Sequence, residues 1–198
     1  MALYRIVEGQ GAYKHVFGHD PKLAGLVPEG EELPFHLIAT LDTSDPALAP
    51  LELHVGQKLR LVHHYHYSQG GTMTYRHVSQ DEIKFVGELD YGDEGWPTGE
   101  LPRELPNRPL VLERVVEHVE GLRGDTMYVG VGVPTGQSYG TPPTFSCGSC
   151  GGSANLIAIV EDKPLPSAAI ETWGNCGVAA VFFYCKACNA ITTMNECD

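Results

Sequence analysis

Residues 147–189 read CGSCGGSANLIAIVEDKPLPSAAIETWGNCGVAAVFFYCKACN, and this stretch decides how the C-terminal part of the chain folds. It contains two Cys-x-x-Cys pairs, Cys147 with Cys150 and Cys185 with Cys188, separated by 34 residues. A turn of this kind aims two sulfurs at one point, and two such turns supply four soft ligands in a tetrahedron. The spacing therefore predicts two knuckles, formed by Cys147, Cys150, Cys185 and Cys188, that share one structural zinc ion.

The residues around the two pairs support this interpretation. Gly151 and Asn189 follow the pairs, and glycine and asparagine tolerate the positive φ that such a turn often requires. Two apolar segments, Asn155–Glu161 and Val178–Tyr184, are typical of strands that leave and enter the knuckles. The sequence thus predicts a zinc ribbon with an enlarged loop.

Two other interpretations of these cysteines stay open. The first pair resembles a thioredoxin-type redox motif, but that motif needs a helix N-terminus after it, and here a glycine pair and a β-rich segment follow. The same four thiolates also suit iron or an iron–sulfur cluster. Disulfides are disfavoured because a reducing compartment does not maintain them. We expect Cys176 and Cys197 to lie outside the metal site.

Composition limits the classes of function. The chain has 198 residues, 13 lysines and arginines without clustering, and a formal net charge of −12, which disfavours nucleic-acid binding. No apolar run approaches a membrane span, and no secretion signal is visible at the N-terminus, so we expect a cytoplasmic protein with no membrane partner.

Short segments rich in β-branched and aromatic residues, separated by glycine and proline, predict a mainly β fold with little helix (a β-rich α+β class). We expect an N-terminal β half over residues 1–89, a Gly/Pro-rich connecting loop over 90–109, and a C-terminal β half with the zinc ribbon over 110–198. The predicted strands are Ala2–Val7, Pro34–Asp42, Lys58–Ser68, Thr72–Val78, Glu82–Gly87, Leu110–Val119, Met127–Val133, Asn155–Glu161 and Val178–Tyr184. For Leu110–Val119 a helix is the alternative, because its apolar residues also fit a helical stripe, whereas its four valines favour a strand.

A histidine cluster is the other candidate site. Gln69-Gly70-Gly71 predicts a hairpin between Lys58–Ser68 and Thr72–Val78 that would place His64 opposite His77, with His66 on the same face. Three imidazoles could then form a catalytic metal site, so a metalloenzyme using His64, His66 and His77 is the alternative function. No carboxylate lies nearby to orient the imidazoles, and we expect these histidines to be metal-free and partly exposed. The sequence shows no complete catalytic set, which favours a protein-binding module over an enzyme.

Several motifs of this chain are similar to those of the YwqG-like bacterial proteins. The glycine turn and apolar strand in 22–42, and the order of glycine turn, knuckle, apolar strand, Trp-Gly segment, aromatic strand and second knuckle, resemble the zinc-bearing variants of that family. The C-terminal half also resembles the programmed-cell-death-2 proteins. The segments that carry the resemblance are Lys22–Gly25, Leu33–Asp42, Gly132–Pro134, Cys147–Cys150, Leu156–Glu161, Trp173–Gly177, Val181–Tyr184 and Cys185–Cys188.

The resemblance implies a duplicated, mainly β architecture. It also implies two kinds of protein partner, since some YwqG-like proteins are suspected immunity proteins against toxins, while programmed-cell-death-2 proteins act as chaperones for a ribosomal protein. We therefore expect a zinc-stabilised cytosolic protein that binds another protein. The sequence does not name that partner or the oligomeric state.

Overall fold

A computed structural model of the protein describes residues 2–18, 35–54, 58–64, 72–79, 82–86, 105–116, 126–133, 142–161, 163–165 and 178–197. Within these ranges the chain forms twelve strands and one short 3₁₀ helix, Pro46–Leu51. The strands are β1 (Leu3–Glu8), β2 (His15–Phe17), β3 (Phe35–Asp42), β4 (Lys58–His64), β5 (Thr72–His77), β6 (Ile83–Phe85), β7 (Arg108–Arg114), β8 (Met127–Gly130), β9 (Thr144–Ser146), β10 (Ser153–Glu161), β11 (Val178–Cys185) and β12 (Ala190–Cys197).

The described strands belong to one antiparallel sheet, which confirms the predicted mainly β class. Their order is β4-β3-β2-β7-β1-β8-β10-β11-β12-β5-β6, and β9 pairs with β10 beside this path. Strands from the two predicted halves are intermixed, because β1 lies between β7 and β8, and β5 pairs with β12. The predicted halves are thus joined in one sheet, and the proposed duplication stays a prediction.

Strand β11 shows why the sheet has two buried faces. Successive side chains of a strand point to opposite faces. Ala180, Phe182 and Tyr184 belong to one hydrophobic cluster, whereas Val181 and Phe183 belong to a second. A strand that is buried on both sides must be apolar at every position, and this explains the continuous apolar sequence of β11. The second cluster includes Cys147 and Cys185, so one face of the sheet packs beneath the knuckles.

The sheet curls, so that β4 at one end of the order meets β5 through side chains. The Tyr75 hydroxyl donates to the carbonyl oxygen of Arg60 at 2.6 Å and accepts from the N–H of Val62 at 3.1 Å. The N–H of Arg60 points to Nε2 of His77 at 3.4 Å. Arg60 and Val62 are two residues apart, so these backbone groups lie on the same edge of β4. Side chains of β5 thereby satisfy polar groups that an edge strand leaves unpaired.

The predicted hairpin between Lys58–Ser68 and Thr72–Val78 is wrong for the described residues. In the structure β4 pairs with β3, whereas β5 pairs with β12 on one side and β6 on the other. Both edges of β5 are therefore occupied, and no edge is left for a ladder with β4. Residues 65–71, which include the predicted turn, lie outside the described residues.

The 3₁₀ helix Pro46–Leu51 is held at its start by a buried polar pair. Asp45 accepts from the N–H of Ala47 at 2.8 Å and contacts Nε2 of His15 at 2.9 Å. Nδ1 of His15 accepts from the N–H of Asp42 at 3.1 Å, so the ring proton lies on Nε2 and is donated to Asp45. Both ring nitrogens of His15 are used in this way, and the pair fixes the helix against β2.

Two buried tyrosines provide a matched test of the hydrogen bonds that join the Tyr75 side chain of β5 to the backbone of β4. Tyr75→Phe should lower the free energy of unfolding by about 2 kcal/mol, because the Arg60 carbonyl and the Val62 N–H lose a buried partner. Tyr128 is equally buried, 0 % against 1 % exposed, but its hydroxyl has no hydrogen-bond partner among the residues that the structure describes. Tyr128→Phe should therefore leave stability unchanged or raise it by about 1 kcal/mol, because it removes a buried hydroxyl that no hydrogen bond compensates. Urea unfolding of both variants is the measurement, and equal losses would contradict the role given to Tyr75.

Candidate metal centre

The first knuckle is the turn of a hairpin between β9 and β10. The N–H of Cys147 donates to the carbonyl oxygen of Gly152, and the N–H of Gly151 donates to the carbonyl oxygen of Cys147, both at 2.8 Å. Gly151 has a φ of +71°, in the left-handed region that favours glycine. These two bonds close the turn that carries Cys147 and Cys150. The expected positive φ after the first pair is confirmed.

The second knuckle is the turn between β11 and β12. Cys185, the last residue of β11, lies opposite Ala190, the first residue of β12. Asn189 precedes Ala190 and has a φ of +54°. Asparagine is one of the few residues with a side chain that adopts this conformation routinely. The expected positive φ after the second pair is confirmed as well, and the two knuckles have the same design.

The four sulfurs form a compact cluster. The Sγ atoms of Cys147 and Cys188 are 3.5 Å apart, those of Cys150 and Cys185 are 3.7 Å apart, and all four lie within 4.8 Å of one another. A zinc–sulfur distance of about 2.3 Å gives a tetrahedron with edges of about 3.8 Å. The cysteines are free rather than joined in disulfides. The four side chains therefore lie close enough together to hold one metal ion.

The environment of the sulfurs differs from one cysteine to the next. A backbone hydrogen bond from Gly152 lowers the pKa of Cys150. Burial raises the pKa of Cys185, and burial together with the neighbouring Cys147 thiol raises the pKa of Cys188 to about 12. The N–H of Ser149 donates to Sγ of Cys147 at 3.4 Å. A cation among the sulfurs would offset the cost of the buried thiolates, because a coordinated thiol is deprotonated by the metal.

Strands β5 and β12 support the first knuckle from below. The hydroxyl oxygens of Thr74 and Thr192 are 3.0 Å apart, and Thr192 Oγ1 accepts from the N–H of Gly148 at 3.1 Å. A Cβ atom at Gly148 would come within 2.2 Å of Thr74 Oγ1, so glycine is required at this close approach. The first knuckle is thus anchored on two strands that do not carry any of the four cysteines.

The second knuckle is anchored by β5 and by the segment after the 3₁₀ helix. Nε of Arg76 donates to the carbonyl oxygen of Cys188 at 3.1 Å. Two hydrogen bonds join Asn189 to His77. The side-chain amide of Asn189 donates to the carbonyl oxygen of His77 at 3.0 Å, and the N–H of His77 donates to the carbonyl oxygen of Asn189 at 3.1 Å. Lys186 meets Glu52 at 2.6 Å in an exposed pair that contributes little to stability.

Sequence reasoning missed these supports. Thr74, Thr192 and Arg76 carry no spacing signal, because their role depends on the pairing of β5 with β12. That pairing was not predicted, and neither was β12 itself. Thr74 and Arg76 lie two residues apart on β5, but this spacing would identify them as supports of the knuckles only once the partner strand was known.

The predicted histidine site is not assembled by the described residues. His77 was expected to be partly exposed and is instead buried, with Nε2 directed at the N–H of Arg60. Burial lowers the pKa of His77 to about 4, so the imidazole is neutral over the physiological range. The side chain of His64 and the whole of His66 lie outside the described residues.

Cys176 also lies outside the described residues, and of Cys197 the structure describes the backbone at the end of β12. The expectation that these two cysteines are not ligands stays a prediction.

Comparison with known proteins gives no relative. No family model, no curated protein and no solved structure matches this chain. The similarity to the YwqG-like and programmed-cell-death-2 proteins therefore rests on the short motifs of the sequence. In the part of the chain that the structure describes, no helix is long and apolar enough to cross a membrane.

Proposed function

We propose that this chain is a zinc-stabilised protein-binding module. The observation that carries the proposal is the cluster of four cysteine sulfurs within 4.8 Å of one another, contributed by two hairpin turns of the same sheet. The resident ion would be a single structural Zn²⁺ held by Cys147, Cys150, Cys185 and Cys188, with no coordination position left for a substrate.

The choice of zinc follows from the ligands. Four thiolates favour soft or borderline metals and disfavour magnesium, calcium and manganese, which prefer oxygen. The sulfur separations of 3.5 and 3.7 Å suit a tetrahedron around zinc. A reducing compartment would keep the thiols available, which agrees with a cytoplasmic location.

The structural role follows from what the knuckles join. The zinc would link the β9–β10 hairpin to the β11–β12 hairpin. The first knuckle also bonds β12 through Gly148 and Thr192, and the second knuckle bonds β5 through Arg76. A shared ion would therefore stabilise the packing of one face of the sheet. A metalloenzyme based on the histidines has less support, because the one member of that set whose side chain is described, His77, is buried and directs Nε2 at the backbone of β4.

The partner would be another protein. A formal net charge of −12 makes a nucleic acid an unfavourable partner and gives basic protein segments a long-range attraction. An immunity-type or chaperone-like role fits both this charge and the family resemblances. The partner would bind through residues outside the metal centre, since the four thiolates are committed to the ion.

The first test is the metal. Purified protein should contain close to one zinc per chain by elemental analysis and native mass spectrometry. Cobalt exchanged into the same site should show the visible absorption of a tetrahedral thiolate complex, because cobalt reports its ligands through its d electrons. Folded protein that contains no metal, or cobalt spectra typical of oxygen and nitrogen ligands in an octahedron, would contradict the proposal.

The second test is the partner. Chemical cross-linking of zinc-loaded protein in its source cells should give one predominant protein adduct in a fixed ratio. The comparison is the same experiment after reversal of one exposed carboxylate outside the two knuckles, Glu113→Lys in β7. Cross-links to nucleic acid in place of protein would contradict the proposed class of partner.

A further inference from the structure

The four sulfurs of the cluster differ sharply in their access to solvent. Cys147 and Cys185 are buried, each with 1 % of the residue exposed, and Cys188 is partly buried. Cys150 is exposed at the tip of the first knuckle. A Cβ atom at the next residue, Gly151, would meet no other atom within 4 Å, so the space beside the tip is open. A reagent in solution reaches the sulfur of Cys150 before it reaches the others.

A sulfur of the other knuckle lies close to that of Cys150. The distance between the Sγ atoms of Cys150 and Cys185 is 3.7 Å. A disulfide needs about 2.05 Å, so a shift of less than 2 Å would join them once the metal no longer holds them apart. The other short contact, 3.5 Å, joins Cys147 and Cys188, and does not involve the exposed sulfur.

We propose that Cys150 is a site of oxidative modification by hydroperoxides and that Cys185 is its resolving thiolate. The proposal rests on the proposed four-thiolate metal centre and adds a way for that centre to release its metal. Its basis is the exposure of the Cys150 sulfur and its short distance from the sulfur of Cys185, both of which are set by the fold.

The chemistry balances in two steps. The Cys150 thiolate attacks one oxygen of the hydroperoxide, the O–O bond breaks, and the leaving hydroxide or alkoxide takes a proton from water, which leaves a sulfenic acid on Cys150. The Cys185 thiolate then attacks the Cys150 sulfur, the S–O bond breaks, and hydroxide leaves. Two electrons pass from the two thiolates to the peroxide, and two protons from the buffer neutralise the two hydroxide equivalents formed. The products are one disulfide with two waters, or with one water and one alcohol.

Loss of these two ligands should release the ion. Cys147 and Cys188 would remain, and two thiolates cannot complete the tetrahedral set of a structural zinc site. The new disulfide would join the β9–β10 hairpin to the β11–β12 hairpin, as the metal did before. The oxidised protein should therefore keep most of its secondary structure while it loses its metal.

The test uses zinc-loaded full-length protein carrying Cys176→Ser and Cys197→Ser, so that the four cluster cysteines are the only thiols. Hydrogen peroxide is added, zinc release is followed with a chromogenic chelator, and the products are mapped by proteolysis and mass spectrometry. We expect one zinc released per disulfide, with Cys150–Cys185 as the main linkage. Dimedone added with the peroxide should label Cys150 first.

Other outcomes would overturn the inference. These are a main linkage of Cys147–Cys150 or Cys147–Cys188, dimedone on a buried cysteine before Cys150, or sulfinic acid at Cys150 without a disulfide. The mapping needs no substitution in the cluster, so an unstable variant cannot obscure it. Protein that purifies without metal would contradict the proposed function itself, whereas zinc-loaded protein with the wrong oxidation product contradicts the present inference alone.

A chemical reversal completes the experiment. Treatment of the oxidised protein with dithiothreitol and zinc chloride should restore one zinc per chain, because a disulfide is reducible and a sulfinic acid is not. Failure to recover the metal, with the four thiols found oxidised beyond the disulfide level, would show that Cys185 does not resolve Cys150.

Discussion

Cys185→Ser is expected to remove the bound metal and to lower the melting temperature by about 10 °C or more. Structural zinc supplies on the order of 10 kcal/mol of folding free energy in small zinc peptides, and a loss of only about 4 kcal/mol gives this shift in a chain of this size. Cys185 is buried and ends β11, so a serine there leaves a buried hydroxyl as well as an incomplete ligand set. Calorimetry and elemental analysis on the same sample are the measurements.

Two comparisons make this prediction specific to the metal. Wild-type protein stripped by a chelator should melt close to the Cys185→Ser variant, because both lack the same ion. Cys197→Ser, which changes a cysteine outside the cluster, should keep the zinc and the melting temperature of the wild type. The prediction fails if Cys185→Ser loses stability while its zinc content stays near one per chain.

Gly148→Ala is expected to lower the free energy of unfolding by about 3 kcal/mol, the upper part of the range for overpacking. The added methyl group would lie 2.2 Å from Oγ1 and 3.1 Å from Cβ of Thr74. Thr74 is buried and its hydroxyl contacts that of Thr192, so it cannot turn away without breaking this bond. The knuckle would have to lift from β5 and β12, and zinc affinity should fall as well.

A double-mutant cycle identifies the cause. Thr74→Ala removes the closest atom, so it should cost less in the Gly148→Ala background than in the wild type, where it deletes a hydrogen bond. Gly151→Ala is the matched control, because its Cβ meets nothing within 4 Å and only the φ of +71° opposes it, at a cost of about 1 kcal/mol. Additive effects of Gly148→Ala and Thr74→Ala would argue against a steric contact between them.

The four-cysteine cluster was the most predictable part of the molecule, because each knuckle is a local structure. Four residues set the two sulfurs of a pair, and the following glycine or asparagine sets the turn. Gly151 and Asn189 indeed have positive φ values. The sequence could not show which sulfur is exposed, because exposure depends on how the two hairpins pack together.

The strands were predictable where their side chains are apolar on both faces, as in β10 and β11. Strand β12 was missed because it carries inward polar residues, among them Thr193, whose hydroxyl lies 3.1 Å from Nδ1 of His63. The prediction that β4 pairs with β5 was wrong for a related reason. A glycine pair between two strands is a strong local signal, but β5 pairs with β6, which follows it, and with β12, which is contributed by a distant part of the chain. The sequence gives no sign of the pairing with β12.

The position of β5 has a consequence for the synthesis of this protein. The contact between Thr74 and Thr192 joins residues 118 positions apart. At a ribosomal rate of about 5–20 residues per second, β5 must wait about 6–24 s before β12 is available. During that interval one long edge of β5 has no strand to pair with, and the first knuckle has no second pair of cysteines. The nascent chain should therefore depend on chaperones until β12 emerges, and zinc should join the protein late, as its last hairpin forms.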